Sequence, residues 1–216
     1  MIRVLELFSG TGSVSKVCNK LGWESVSVDM ILPADHKCDI MDFDYKQYPK
    51  DYFQIVWGSP PCVNYSKLQE SHLGRNRKGV PFTKEMWLKN MEESDKLVLK
   101  TFEIIEYFNP DMWFVENPQT GYLKTRDIMK DKSYYDVDYC MYSNWGYRKR
   151  TRIWTNKKDF IPKLCNKKCG NMVDGRHKAN LGGRYLDKDN KVITKTIHRY
   201  DKYRIPEDLI ISLFQE

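Results

Sequence analysis

The stretch Arg3-Val4-Leu5-Glu6-Leu7-Phe8-Ser9-Gly10-Thr11-Gly12 runs from an apolar segment into a glycine-rich turn. Val4, Leu5, Leu7 and Phe8 predict a buried strand over residues 3–8. Residues 13–21 follow with Val14, Val17, Cys18 and Leu21 on one helical face and Gly22 beyond the last turn, which predicts a helix closed by that glycine. A buried strand feeding a helix through such a turn is the opening unit of an α/β sheet. The glycines let the backbone approach a ligand closely, and the helix start offers free N–H groups. The turn lacks the spacing of a full dinucleotide fingerprint and has no phosphate-loop lysine. Taken by itself it is equally a tight strand-to-helix connection.

The same alternation recurs downstream. Residues 24–29 predict a short strand with Val26 and Val28 on one face, and residues 53–57 another that ends at Gly58-Ser59-Pro60-Pro61-Cys62. Residues 83–108 contain a long helical stretch with Leu97, Phe102, Ile105 and Phe108 at roughly helical spacing. Residues 112–115 predict a strand that ends at Glu116-Asn117-Pro118. Strands alternating with helices imply right-handed crossovers, and so an α/β fold with a doubly wound, mostly parallel sheet. Ligands bind outside the carboxyl ends of the strands in such sheets. Three predicted strands end in polar or Gly/Pro clusters, which would share that rim.

Each cluster carries chemistry. Asp29, ending the second strand, can accept hydrogen bonds from ribose hydroxyls; a solvated or capping acid is the plainer reading of it alone. Pro60 and Pro61 make a rigid turn that holds the Cys62 thiol at the rim, which favours a nucleophile over a buried structural cysteine. Glu116 follows an apolar strand, a partly buried setting in which a carboxyl can donate a proton; its alternative is a helix-capping acid before Pro118. In residues 146–154, alternation puts Arg150 and Arg152 on one strand face, aimed together at an anion or a carbonyl, unless the segment is a charged edge strand.

The chain's 216 residues suit one domain with at most a small appendage. Hydrophobic residues at 41% and aromatics at 13% exclude a disordered chain, although a mean hydropathy of −0.67 marks a very polar surface. The net charge of +7 is unevenly spread. Between Asn144 and Tyr185 stand twelve lysines and arginines against two acids, a local +10 that leaves −3 for the remainder. Clustered cations suit a polyanion such as nucleic acid; a solvated basic loop is the competing reading. No secretory signal and no apolar run of bilayer length is visible. Six cysteines without the spacing of a small secreted protein read as reduced thiols, which implies a cytoplasmic or nuclear protein. No segment marks a membrane or an obligate protein partner.

In this order the clusters resemble the C5-cytosine DNA methyltransferase family, in the form of a small phage- or virus-like member. Residues 5–13 are similar to the family's first motif for S-adenosylmethionine, Asp29 to its ribose-binding acid, and Cys38-Asp39-Ile40 to its adenine-contacting segment. Residues 58–62 resemble the catalytic turn, Glu116-Asn117-Pro118 the segment with the catalytic glutamate, and residues 148–154 the arginine motif. The resemblance spans residues 3–156, with Val63 where the family has Gln and Pro118 where it has Val. It extends loosely to residues 203–209, which would return to the cofactor.

The resemblance implies a Rossmann-like, S-adenosylmethionine-dependent methyltransferase fold. Phe8, Ser9, Gly10, Thr11, Gly12, Asp29, Met30, Asp39, Ile40 and Pro60 would bind the cofactor. The Cys62 thiolate would add to carbon 6 of a flipped cytosine, Glu116 would hydrogen-bond N3, and Arg152 with Arg150 would bind O2. Ser66, Arg75, Arg77 and Lys78 would belong to a mobile loop over 64–82 that closes on the base and touches phosphate. Family members carry a large target-recognition domain after the arginine motif, where this chain has only about forty residues. The expected organisation is a catalytic core over 1–156, a short basic insert over 157–195 with Lys167, Lys168 and Arg176 on nucleic acid, and a C-terminal helix over 196–216. DNA is the expected substrate. RNA, single-stranded DNA, or a non-catalytic binding homologue are the alternatives.

Cys165 and Cys169 with His177, and a fourth ligand from Cys140 or His198, form a candidate structural zinc site. With no second closely spaced cysteine pair, the spacing alone favours reduced thiols in a basic loop.

Overall fold

The computed structural model describes residues 1–77, 79–182, 195–198 and 200–215, and of Arg77, Lys195 and Thr196 the backbone alone. The apolar N-terminal run forms β1 (Arg3–Leu7), in which Val4, Leu5, Glu6 and Leu7 are all buried. Continuous burial, in place of alternation, marks an interior strand of a parallel sheet. The turn after it leads into α1 (Ser13–Leu21), then β2 (Glu24–Val28) and β3 (Ile55–Gly58). A short hairpin of β4 (Asn76–Arg77) and β5 (Val80–Pro81) precedes α2 (Lys84–Phe108), and β6 (Met112–Pro118), β7 (Tyr134–Asp138) and β8 (Arg150–Thr155) complete the sheet. The basic segment beyond carries a second small hairpin, β9 (Met172–Val173) with β10 (Arg176–His177), and α3 (Glu207–Gln215) ends the chain.

Six strands form one sheet in the order β2-β1-β3-β6-β8-β7. The pairs β1–β2, β1–β3 and β3–β6 are parallel, while β8 runs antiparallel to both β6 and β7. α1 and α3 cover one face, where Val14, Val17 and Cys18 cluster with Leu209, Ile210 and Leu213 around Val4, Ile55, Trp57 and Phe114. α2 covers the other, placing Val98, Phe102, Ile105 and Phe108 among Leu5, Val56 and Val115. Helices on both faces make the fold doubly wound, as expected. Thr83 starts α2 by accepting the Met86 N–H at 3.2 Å, and Asn109 ends it at φ +43 before Pro110. At Gly58 a Cβ would stand 2.8 Å from Thr101 Cγ2, so the close approach of β3 to α2 depends on that glycine.

Three strands depart from the sequence expectation. β3 begins at Ile55, two residues late. β6 continues through Pro118 because β8 pairs with it as far as Thr151. β7, whose apolar alternation is only Tyr135 and Val137, is not among the expected strands, and its presence makes β8 an interior strand, not a charged edge.

β1, β3 and β6 are parallel neighbours, so their C-terminal clusters stand side by side on one rim. β2 and β3 leave β1 on opposite sides, the position at which such sheets bind ligands. The C-terminal segment comes back to the same region: the Ile205 N–H donates to Ser13 Oγ at 3.1 Å, and Lys20 pairs with Glu207 at 2.5 Å. Among the described residues no helix is long and apolar enough to cross a membrane.

Candidate active site

Along the rim lies a cleft of about 380 Å³, within the roughly 300–1,000 Å³ of small-molecule sites. Phe8, Ser9 and Gly10 enter it from the end of β1, and Asp29 and Met30 from the end of β2. Asp39 and Ile40 come from the next loop, Pro60 and Cys62 from β3, and Glu116 and Asn117 from β6. Eight of the expected cofactor residues therefore share a wall with Cys62 and Glu116. Thr11 and Gly12 belong to the same turn without lining this cleft.

At one end the backbone is drawn tight. Asp29 Oδ2 accepts the Gly10 N–H at 2.8 Å, while its Oδ1 accepts those of Ile31 and Leu32 at 2.8 and 2.7 Å. Gly10 takes φ +54, and so does Phe8 at φ +56, a conformation that costs a non-glycine residue about 1–3 kcal/mol and persists only where its surroundings impose it. Glu6, which the sequence reading left as part of a strand, anchors the start of α1. Its carboxylate accepts the Val14 and Ser15 N–H groups at 3.1 and 2.9 Å and the Ser15 hydroxyl at 2.5 Å. Burial holds the Glu6 pKa above its ordinary value against those three bonds. Ser9 Oγ is buried with no hydrogen-bond partner among the described residues. A polar atom left so costs about 1–3 kcal/mol until something satisfies it. Tyr203 and Ile205, from the segment that resembles the family's returning motif, line the cleft as well.

At the other end stand the reactive groups. Pro60 is buried, and its carbonyl accepts Asn117 Nδ2 at 2.8 Å, which ties the proline turn to β6. Beyond it the Cys62 thiol is half-buried. Burial pushes its pKa up, the Lys149 ammonium pulls it down, and the Glu116 carboxylate raises it again. Glu116 is 6% exposed and accepts the Tyr139 hydroxyl at 3.1 Å. Lys149 Nζ lies 3.4 Å from Glu116 Oε1. Lys149 lines the cleft and is the cation that sequence reasoning missed; its only signal there is its place one residue out of phase with the arginines.

Arg150 and Arg152 share a face and do meet anions, but the anions are the protein's own. Arg150 holds Asp138 through Nε and Nη2 at 3.1 and 2.7 Å, and Arg152 holds Asp136 through the same atoms at 2.7 and 2.9 Å. Arg152 also lies 3.5 Å above the Tyr134 ring. Neither lines the cleft, so this arrangement gives no support to the expectation that they bind the base. The register explains it: Ile153 stands opposite Glu116 and Arg152 opposite Asn117, so the arginines leave β8 on the face away from Glu116. β7 then presents Asp138 to Arg150 and Asp136 to Arg152 as cross-strand pairs.

The expected nucleic-acid contacts lie apart from the cleft. Ser66 Oγ accepts the Leu68 N–H at 3.2 Å, and Arg75 is exposed near the β4–β5 hairpin. Arg77 contributes only its backbone here, and Lys78 lies outside the described residues. This loop is fastened to α2, with the Tyr65 hydroxyl donating to Asp95 and Trp87 Nε1 to the Asn64 carbonyl, both at 2.8 Å. Lys167, Lys168 and Arg176 are exposed on the basic segment. The same segment brings Cys165, Cys169 and His177 together with Cys140, all four ligand atoms within 4.8 Å of one another. His198 is not among them.

No family model matches the chain. It is 39% identical over 221 residues to the "Probable DNA (cytosine-5)-methyltransferase" of Frog virus 3 (isolate Goorha), covering 98% of each protein. Among solved structures it is similar to a putative DNA modification methyltransferase encoded within an E. coli prophage, with a TM-score of 0.50 and 16% identity. That match covers 96% of this chain and 66% of the other, just under two thirds. It is also similar to the Entamoeba histolytica methyltransferase EhMeth, with a TM-score of 0.51 and 15% identity over 76% of this chain and 56% of that one. At such identities the likeness is one of fold, the Rossmann-like sheet of methyltransferases. The viral relative decides the family: the chain belongs to the DNA (cytosine-5)-methyltransferases.

Proposed function

We propose that this protein transfers the methyl group of S-adenosylmethionine to carbon 5 of cytosine in DNA, through a covalent adduct on Cys62. The observation that carries this reading is the convergence of the Cys62 thiol, the Glu116 carboxylate and the Lys149 ammonium on the cleft that also holds the Phe8–Gly10 turn and Asp29.

The turn end of the cleft fits the cofactor. Each Asp29 oxygen has two lone-pair sites, and with Oδ1 taken by two N–H groups and Oδ2 by one, Oδ2 keeps one site for a ribose hydroxyl. Ser9 Oγ offers an unsatisfied polar atom, and Ile40 supplies a buried apolar wall. S-adenosylmethionine supplies an electrophilic methyl on a sulfonium sulfur.

Carbon 5 of cytosine is a weak nucleophile, and this chain's residues make it a stronger one. The Cys62 thiolate adds to carbon 6 and forms the sulfur–carbon bond, while the electron pair of the 5,6 double bond shifts toward N3. A proton held between N3 and Glu116, which Tyr139 orients, passes to N3 as the electron pair arrives there and returns to Glu116 when the thiolate leaves. Lys149 takes the part foreseen for the arginines: it donates to the base O2 and stabilises negative charge on Cys62 and Glu116. Carbon 5, now enamine-like, attacks the methyl group, whose bond to the sulfonium sulfur breaks and leaves its electron pair on a neutral thioether. A base then takes the carbon 5 proton, the sulfur–carbon bond breaks, and the thiolate leaves. A stacked base offers neither face, so the target nucleotide must swing out.

Transfer of labelled methyl to duplex DNA, single-stranded DNA and RNA tests the proposal. Duplex DNA labelled at carbon 5 of cytosine, with labelling abolished in Cys62→Ala, is expected. Labelling that survives Cys62→Ala overturns the mechanism, and labelling of RNA alone overturns the substrate.

A further inference from the structure

We infer that Cys140, Cys165, Cys169 and His177 bind one structural zinc ion, which fastens the basic segment to the sheet. Cys140 lies in the turn that follows β7, Cys165 and Cys169 flank a tight turn of the basic segment, and His177 ends β10. The sulfurs of Cys165 and Cys169 are 3.5 Å apart, and His177 Nε2 lies 3.6 and 3.4 Å from them. Around a tetrahedral zinc, with metal–sulfur distances near 2.3 Å and metal–nitrogen distances near 2.05 Å, ligand atoms stand about 3.5–3.8 Å apart. The three separations among Cys165, Cys169 and His177 are close to three edges of such a tetrahedron, and Cys140 Sγ lies within 4.8 Å of each of those atoms. All six cysteines are free thiols, so no disulfide competes for the sulfurs.

The donor set decides the metal and its role. Three thiolates and an imidazole exclude the hard cations that seek oxygen. Four protein ligands leave no open position, which is the pattern of a structural and not a catalytic ion. Binding releases the three thiol protons to solvent. The Lys167 N–H already donates to Cys165 Sγ at 3.3 Å, the outer-shell support that orients a metal-bound sulfur.

The segment also needs such a link. Ile161, Leu164 and Val173 are exposed, and β9 and β10 have two residues each, so little apolar burial holds it. Phe160 anchors its start in the core, and part of what joins the rest to the sheet runs beside the metal ligands. The Cys165 N–H donates to Asp138 Oδ2 at 2.8 Å, and Asp138 is the carboxylate that holds Arg150. Asn171 Nδ2 donates to the Cys140 and Ser143 carbonyls at 2.9 and 2.8 Å. Zinc would close this ring, fixing Lys167, Lys168 and Arg176 relative to the strand preceded by Lys149.

The test is metal analysis of the full chain purified from zinc-supplemented medium, which reads the site independently of methyl transfer. One zinc per chain is expected in the unmodified protein and in His198→Ala, with at least about tenfold less in Cys140→Ser and in Cys165→Ser. Cobalt substitution of the unmodified chain is expected to give the thiolate-to-metal absorption of a tetrahedral site, a readout that does not rely on any variant folding. Chelation should speed tryptic cleavage at Lys167 and Lys168 at least about tenfold. Unmodified protein with no stoichiometric zinc and no cobalt–thiolate absorption overturns the inference. So does zinc that is retained in Cys165→Ser or lost in His198→Ala.

Discussion

Lys149 Nζ stands 3.4 Å from Glu116 Oε1, with only 12% and 8% of the two side chains exposed. A pair so sheltered is weakly screened by salt, and removing one partner strands the other's charge. The Cys62 end of the cleft is thus organised around an ion pair whose cation precedes β8, while the two arginines within β8 belong to a different set of contacts.

Lys149→Gln should lower kcat about 10²–10³-fold, the usual cost of removing a group that meets developing charge. Arg152→Gln should behave differently. It breaks the paired bonds to Asp136 without touching the cleft, so we expect a loss of about 1–3 kcal/mol in unfolding free energy with kcat nearly unchanged. Steady-state kinetics beside denaturant unfolding of both variants separates the roles, and a kcat collapse in Arg152→Gln would restore that arginine to the site.

The pH dependence has a definite sign. Burial holds the Cys62 thiol above its ordinary range, and the reactive form is the thiolate, so kcat/KM should climb through neutrality and continue past about pH 8.5, the ordinary cysteine value. Lys149 lowers this pKa and Glu116 raises it. The rising limb should therefore move to higher pH in Lys149→Gln and to lower pH in Glu116→Gln. Shifts in the opposite directions would contradict the arrangement.

Asp29→Ala removes the carboxylate that accepts three backbone N–H bonds at the turn as well as the proposed ribose contact. Calorimetry with S-adenosylhomocysteine should show affinity at least about tenfold weaker, equal to about 1.4 kcal/mol. Unchanged affinity would mean that the cofactor lies elsewhere.

Phosphate contacts by the basic segment should show in salt dependence. Replacing both Lys167 and Lys168 by Ala should shallow the log–log salt slope of DNA binding by about 0.9 per lost phosphate contact, up to about 2 in all. Affinity for S-adenosylhomocysteine should not move. An unaltered slope would place the DNA on another face.

Much of the fold was legible because its signals are local. Val4, Leu5 and Leu7 lie within one strand, Val14, Val17 and Cys18 within one helix, and the glycines between them announce the turn. Parallel crossover geometry then placed Cys62 and Glu116 on one rim without knowledge of any long-range contact. The facing of β8 was not legible, because it is set by a partner, β7, whose residues Asp136 and Asp138 look like loop acids until the arginines opposite them are seen. Lys149 inherits its role only through that register. Cys165, Cys169 and His177 were visible as a candidate set with Cys140 or His198 as fourth, and the turn after β7 brings Cys140, 25 residues before Cys165, to them.

The central claim is that Cys62 becomes covalently bound to carbon 6 of the target base. An oligonucleotide with 5-fluorocytosine at target positions carries fluorine where a proton must leave, so methylation cannot be followed by release. Incubated with S-adenosylmethionine, the unmodified protein should form a denaturation-resistant adduct whose mass equals protein plus methylated oligonucleotide, with the attachment mapping to Cys62 and absent in Cys62→Ala. Methyl transfer to cytosine DNA with no such adduct, or an adduct mapped to another residue, would contradict the account.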